Sequence, residues 1–160
     1  MQNPTRLCDT IAERLAILHS INPQNCPIKN RTQNYLNTAY DNFESGNYNK
    51  SNFPDSFGYK SAHEAIQMID KNKHLLKNDT LLHGDYCLPN IILDDWKFSG
   101  FIDIDCGGIG DKHIDIFWGI WTLYFNLKTD KFTKRFIDAY GKDKVNPDIL
   151  RLIAAIEVFG

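Results

Sequence analysis

Between two long stretches of helical pattern, the run "DTLLHGDYCLPNIILDDWKFSGFIDIDCGGIGDKH" (79–113) breaks the period. "DTLLHGD" is a short apolar run that ends in a loop. "NIILDD" and "KFSGFIDI" have the length of strands, and a turn around Asp94–Trp96 separates them. This segment predicts one small β-hairpin with acids at both ends. Set between helices, it makes the fold class α+β, mainly helical.

The flanks carry the helices. Asn3 and Pro4 suit a helix start, and Leu7, Ile11, Leu15 and Leu18 form one apolar stripe before Pro23 and Pro27 end the element. A second helix is predicted over 30–43, with Tyr35, Leu36, Ala39 and Phe43 on one side. The polar, breaker-rich run 44–60 reads as a long loop, a flap on the substrate side. Ser61 and Glu64 have the spacing of a capping box and open a helix over 61–76. Three further helices are predicted at 113–125, 130–141 and 146–159, with Gly141 suited to a helix end and Asn146–Pro147 to a helix start. No internal repeat interrupts the chain, and residues 1–160 read as a single domain.

Composition narrows the function classes. At 160 residues the chain is long enough for one core, and 42% hydrophobic with 24% charged residues fits an ordinary globular protein. A net charge of −2 lacks the basic stripe that nucleic acid requires. The cysteines Cys8, Cys26, Cys87 and Cys106 show no metal-type pairing, and the polar start "MQNPTRLCDT" carries no signal peptide. Reduced thiols in a cytoplasm are expected. The most apolar run, "DIFWGIWTLYF" (115–125), is too short to span a bilayer.

The chemistry lies in "HGDYCLPN" (83–90) and "GFIDID" (100–105). Asp85 sits where an apolar run meets a loop, and a carboxylate there can take a proton from an attacking hydroxyl. Asn90 offers a neutral amide oxygen, and a hairpin returns Asp103 toward its level. Two such oxygen donors plus phosphates are how Mg²⁺ is usually held. This division of labour, with Asp-x4-Asn and then a metal-binding Asp, matches kinase-type phosphoryl transfer. His83 reads as structural, tying the loop to the metal-binding segment, with a catalytic role as the alternative. Asp85 taken alone is equally a turn aspartate.

At these residues the chain resembles a known family. "LLHGDYCLPNIILDDWKFSGFIDIDCGGIGDKHIDIFWG" (81–119) is similar to the central signature of the aminoglycoside phosphotransferases, in the version of the 3′-type, or kanamycin kinase, enzymes. "RLAILHSINPQNCPI" (14–28) resembles the start of that family's C-terminal lobe, and "AAIEVFG" (154–160) its C-terminal end. The resemblance implies the C-terminal lobe of a protein-kinase-like fold, which transfers the γ-phosphate of ATP to an aminoglycoside hydroxyl with Mg²⁺. It makes Asp85 the base and Asn90 and Asp103 the metal ligands, with Asp111 and Asp115 holding the metal-binding segment. Glu157, the terminal carboxylate of Gly160, and Asp55 in the 44–60 loop would face the drug. An aminoglycoside carries several ammonium groups, so a carboxylate-lined pocket would attract and orient it. Read without the resemblance, Glu157 is a solvated helix-face acid. Two positions depart from the pattern: Asp105 stands where some members have glycine, and Cys106 where some have arginine.

A kinase-like enzyme also draws on an N-terminal lobe with a nucleotide-covering glycine loop and a phosphate-binding lysine. No Gly-x-Gly-x-x-Gly precedes His83, no Val-Ala-Ile-Lys-like strand is present, and "CGGIG" (106–110) reads as a tight turn. The expectation is a lobe without its nucleotide-binding partner, with apolar surface exposed near its first helix and weak or no activity alone. Three alternatives stand beside it. One is a kinase of the same fold for choline, homoserine or a sugar. Another is a non-catalytic module that binds polycations. The third, a metal-dependent hydrolase built on Asp85, Asp103 and Asp105, is weaker because His83 and His113 are poorly spaced as ligands.

Overall fold

The computed structural model describes residues 3–49 and 58–160. Capping sets where its helices begin. Asn3 Oδ1 accepts the Arg6 N–H at 3.0 Å and Pro4 fills the first turn, opening α1 (Pro4–His19). Helix α2 (Arg31–Ser45) closes at Gly46, whose φ of 70° is the left-handed conformation of a C-terminal cap. Ser61 Oγ accepts the Glu64 N–H at 3.1 Å to start α3 (Ala62–Asn72). The return bond of the capping box lands one residue early, since the Glu64 carboxylate takes the Lys60 N–H. The helix ends at Asn72 rather than 76, and a 3₁₀ turn, Lys73–Leu75, follows. After the strands come α4 (His113–Leu127), α5 (Phe132–Tyr140) and α6 (Pro147–Glu157). Asn146 Oδ1 caps α6 by accepting the Asp148 N–H at 2.9 Å.

The expected hairpin is present. β2 (Ile91–Asp94) and β3 (Lys97–Phe101) pair antiparallel, with a bulge between Ile92 and Leu93. Its two-residue turn places Asp95 and Trp96 at φ 44° and 63°, the sense that matches strand twist. A second sheet was not expected. β1 (Thr80–Leu82) pairs antiparallel with β4 (Gly108–Gly110), Leu82 opposite Gly108. The tight turn read into "CGGIG" is confined to its start, where the Gly107 N–H reaches Ile104 O at 2.8 Å, and the remaining glycines form strand. Glycine is depleted in strands, so the pattern carried no strand signal there.

Two apolar clusters make the core. One joins α2, α3 and α6 through Leu36, Ile69, Leu152, Ile153 and Phe159. The other joins α1, α4 and α5 through Ile11, Leu15, Ile116, Leu123 and Phe136. Helix α4 serves both: Ile114 belongs to the first, Ile116 and Leu123 to the second, and Trp118 packs against each. The loop 83–90 lies on this seam, with Leu82 in the first cluster and Tyr86 in the second. Ile17 in the last turn of α1, Ile21 just beyond it, and Ile102 and Ile104 around Asp103 are exposed. Among the described residues, no helix is long and apolar enough to cross a membrane.

Helices α4 and α5 meet at Gly119, where an added Cβ would stand 2.5 Å from Cζ of the fully buried Phe136. Gly119→Ala gains up to about 1 kcal/mol of helix propensity. Overpacking a filled core costs about 1–3 kcal/mol. The variant is expected to melt several degrees below the parent by calorimetry. An equal or higher midpoint would show that the Phe136 ring yields freely.

Candidate active site

The site is built on one buried carboxylate. Asp115, in the first turn of α4, is fully buried. Its Oδ2 accepts the His83 N–H and its Oδ1 the Gly84 N–H, both at 2.8 Å. His19 Nε2, from α1, also meets Oδ2 at 3.1 Å, and His19 Nδ1 lies 2.8 Å from the Tyr140 hydroxyl of α5. The loop leaving β1 is thus fastened to three helices before it reaches Asp85. Gly84 has φ 89°, and a Cβ there would stand 1.9 Å from Cys106 O, so the loop passes directly beneath the 105–107 turn.

His83 points the other way. Its Nε2 lies 3.1 Å from Ile102 O and its Nδ1 accepts the Asp85 N–H at 3.3 Å. The proton therefore sits on Nε2, and both ring nitrogens are spent on backbone. The ring packs edge-on against Tyr86 and Phe101. Tyr86 is buried and its hydroxyl donates to Ile11 O at 2.7 Å.

Asp85 and Asn90 converge. The turn between them closes through the Cys87 N–H to Asp85 O at 2.8 Å. A 3₁₀ turn, Leu88–Asn90, then brings the buried Asn90 amide back. Its Nδ2 donates to Asp85 Oδ2 at 2.8 Å and to Asp85 O at 3.0 Å. With the nitrogen committed, Oδ1 is the free end of the amide. Asn90 O accepts the Ile102 N–H at 3.0 Å, which sets Asp103 next along the chain. Asp103 is exposed at φ 58°, a left-handed conformation that aspartate tolerates better than most residues. Its carboxylate has no ion pair or hydrogen bond with the described residues. One amide oxygen and one open carboxylate are hard donors suited to Mg²⁺, with phosphate and water completing the shell. No group of three or more His, Cys, Asp or Glu side chains is placed to hold a metal among the described residues.

Asp85 opens into a cleft of about 330 Å³ that Glu157 also lines, together with Arg31, Tyr35, Trp118 and Cys106. Glu157 is not a solvated helix-face acid; it is 9% exposed on the last turn of α6. Burial raises its pKa to about 7. Hydrogen bonding from Tyr35 and Trp118 opposes that shift, and the Asp85 charge adds to it. The Tyr35 hydroxyl donates to Glu157 Oε1. Cys87, beside Asp85, is pushed up to about 12, by burial first and then by Asp85, so it remains a protonated thiol.

The other expected residues fall elsewhere. Gly160 is exposed, its N–H reaches Glu157 O at 3.2 Å, and it is not part of the cleft lining. Asp55, with residues 50–57 of the 44–60 loop, lies outside the described residues. Asp111 is buried behind the site, where Oδ2 accepts the Lys77 N–H at 2.8 Å and Oδ1 meets the His113 N–H and Nδ1 at 2.9 and 2.7 Å. Burial pushes Asp111 up, but these bonds outweigh it and hold it below its ordinary value.

Sequence reasoning missed Arg31, Tyr35, Trp118 and the His19–Asp115 contact. Arg31 donates from Nε to Cys106 O at 2.6 Å and from Nη2 to Asp105 O at 2.5 Å, stitching α2 to the turn above Gly84. Tyr35 was assigned to an apolar helix face, and its polar tip among Leu36 and Ala39 was the available signal.

The family model described as the phosphotransferase enzyme family matches residues 1–153. A probable aminoglycoside 3′-phosphotransferase of Lactococcus lactis is 52% identical over 160 residues, covering 100% of this chain and 61% of the relative. An aminoglycoside 3′-phosphotransferase of Niallia circulans is 27% identical, covering 92% of this chain and 56% of the relative. The chain thus spans about three-fifths of the length of these relatives. Among solved structures, a type VIII aminoglycoside-3′-phosphotransferase superposes with a TM-score of 0.78 at 18% identity. The match covers 99% of this chain and 62% of that one. An aminoglycoside phosphotransferase from Streptomyces rimosus, in complex with ADP and streptomycin, has a TM-score of 0.69 at 23% identity, covering 95% of this chain and 61% of that one. At these identities the structures show the shared fold.

Asp115→Asn tests the foundation of the site. Three donors converge on two carboxylate oxygens, and an amide offers one oxygen while turning N–H groups toward a donor. Breaking such a buried arrangement costs about 3–5 kcal/mol. Urea unfolding should show a loss of that order, and a loss under about 1 kcal/mol would mean the loop is held by other contacts.

Proposed function

The chain belongs to the phosphotransferase enzyme family, and we propose that it forms the acceptor- and metal-binding part of an aminoglycoside O-phosphotransferase. The reaction would move the γ-phosphoryl group of ATP to an aminoglycoside hydroxyl, as in antibiotic resistance. The observation that carries this reading is the shared cleft: Asp85, bonded to the Asn90 amide, and the buried Glu157 face one space of about 330 Å³. The 52% identity to a probable aminoglycoside 3′-phosphotransferase supports the same substrate class.

In this reading Asp85 is the base. The Asn90 amide holds Oδ2 at 2.8 Å, leaving Oδ1 to face the acceptor hydroxyl and receive its proton as the oxygen attacks phosphorus. The bond formed is acceptor O–P and the bond broken is the γ-phosphorus to bridging oxygen of ATP, with ADP leaving. Asn90 Oδ1 and Asp103 would hold Mg²⁺, which neutralises charge on the phosphates when bound. Glu157 would meet a substrate ammonium, and Asp85 adds to the negative potential of the cleft. Asp111 and Asp115 act behind the site, fixing the loop and the start of α4. His83, with both nitrogens on backbone, holds Asp85 and Ile102 in register.

The test uses the purified 160-residue chain with kanamycin and Mg–ATP, followed by ³¹P NMR and calorimetry. Asp85→Asn should lower any phosphoryl transfer by about 10²–10⁴-fold, the usual contribution of a positioned base, while kanamycin affinity stays within about twofold. Where the chain alone turns over too slowly to measure, binding decides. Kanamycin should bind, and Glu157→Gln should weaken it by about tenfold. Choline, homoserine or a hexose binding in place of kanamycin would move the site to another alcohol. Kanamycin binding indifferent to Mg–ATP would fit a polycation-binding module instead.

A further inference from the structure

The phosphotransfer reading gives Asp85, Asn90, Asp103 and Glu157 their tasks but leaves Tyr35 without one. Tyr35 stands on α2, half-buried, with its hydroxyl donating to Glu157 Oε1 across to the last turn of α6. The carboxyl it holds is almost completely buried, lines the cleft, and has no ion-pair partner among the described residues. We propose that Tyr35 is a positioning residue for Glu157: its hydroxyl orients the carboxylate on the cleft wall shared with Asp85, as the anionic half of a subsite for a substrate ammonium group. The identity of the cation rests on the phosphotransferase reading, whereas the coupling of Tyr35 to Glu157 does not.

The charged and titratable groups around Glu157 explain why a hydroxyl is needed. Asp85, in the same cleft, carries like charge. Arg31, on the cleft wall, forms no ion pair with Glu157, its Nε and Nη2 being hydrogen-bonded to the carbonyls of Cys106 and Asp105. The Cys87 thiol stays protonated, and Cys106 lines the cleft from the turn above Gly84. Burial favours the neutral acid, so the donors carry the charged form. Tyr35 contributes more and the Trp118 indole less. The phenol is itself pushed well above its ordinary value, first by burial and then by the Glu157 charge, so it remains a donor throughout.

The sign follows. A cation favours the ionised carboxyl, so an ammonium entering below about pH 7 releases a proton from Glu157 and lowers its midpoint. Removing the hydroxyl takes away a stabiliser of the charged form, so the Glu157 midpoint rises. Cation affinity then falls at neutral pH, and the deficit closes once the pH exceeds the new midpoint.

The experiment is a pH titration of the full chain carrying ¹³Cδ-labelled glutamate, free and saturated with kanamycin. The free chain should show one glutamate titrating near pH 7. Tyr35→Phe should raise that midpoint by about one pH unit, and Trp118→Phe by less. Kanamycin should lower the wild-type midpoint. A folded Tyr35→Phe chain with an unmoved midpoint overturns the proposal, because a merely structural tyrosine predicts that result. If the variant does not fold, the Tyr35 ¹³Cζ resonance of the wild-type chain decides. It should shift with the Glu157 midpoint, and a flat response overturns the coupling. Coupling in the free chain without any kanamycin-induced fall overturns the ammonium subsite and counts against kanamycin as substrate, while the Tyr35–Glu157 contact stands.

Discussion

The arrangement depends first on where the Asp115 carboxylate is placed. A fully buried carboxylate is expensive unless it is hydrogen-bonded, and here the backbone of His83 and Gly84 and the ring of His19 supply three bonds. The result goes beyond local stability. Because the three donors come from α1 and from the loop after β1, the carboxylate fixes the angle at which that loop leaves the sheet. Tyr140 extends the tie to α5 through the second nitrogen of His19. Asp85 therefore inherits its position from packing between helices rather than from the loop's own preferences, which in a turn with Gly84 at φ 89° would be broad.

A second tie comes from above. The 105–107 turn sits so close over Gly84 that no side chain fits, and Arg31 pulls its carbonyls toward α2. The loop that carries Asp85 and the segment that carries Asp103 are thus held against each other from both sides. His83 bridges them through Ile102, and Asn90 bonds to both. Two segments about twenty residues apart are thereby held in one fixed geometry.

Much of this was legible in the sequence where spacing reports geometry. Asp-x4-Asn spans one tight turn, so the pairing of Asp85 with Asn90 follows from the distance along the chain. Helix starts at Asn3, Ser61 and Asn146 were legible because capping is a local interaction. Contacts between distant segments were not. His19 and Asp115 are separated by 96 positions, and Tyr35 and Glu157 by 122, with no pattern to link them. The β1–β4 pairing hid because its second strand is glycine-rich. Family resemblance pointed to Glu157 but could not show that it is buried, and burial is what sets its chemistry.

That burial changes how the cleft handles charge. Two carboxyls facing one space repel, and among the described residues no cation forms an ion pair with Glu157, Arg31 on the cleft wall being hydrogen-bonded to the carbonyls of Cys106 and Asp105. The system can relieve the repulsion in two ways: Glu157 can keep its proton, or a cation can enter. Burial favours the protonated acid, and the hydrogen bonds from Tyr35 and Trp118 oppose it, which leaves the Glu157 pKa at about 7. A polyamine substrate would then do electrostatic work on entering. On the proposed reading it pairs with Glu157 and so favours the ionised carboxyl beside Asp85.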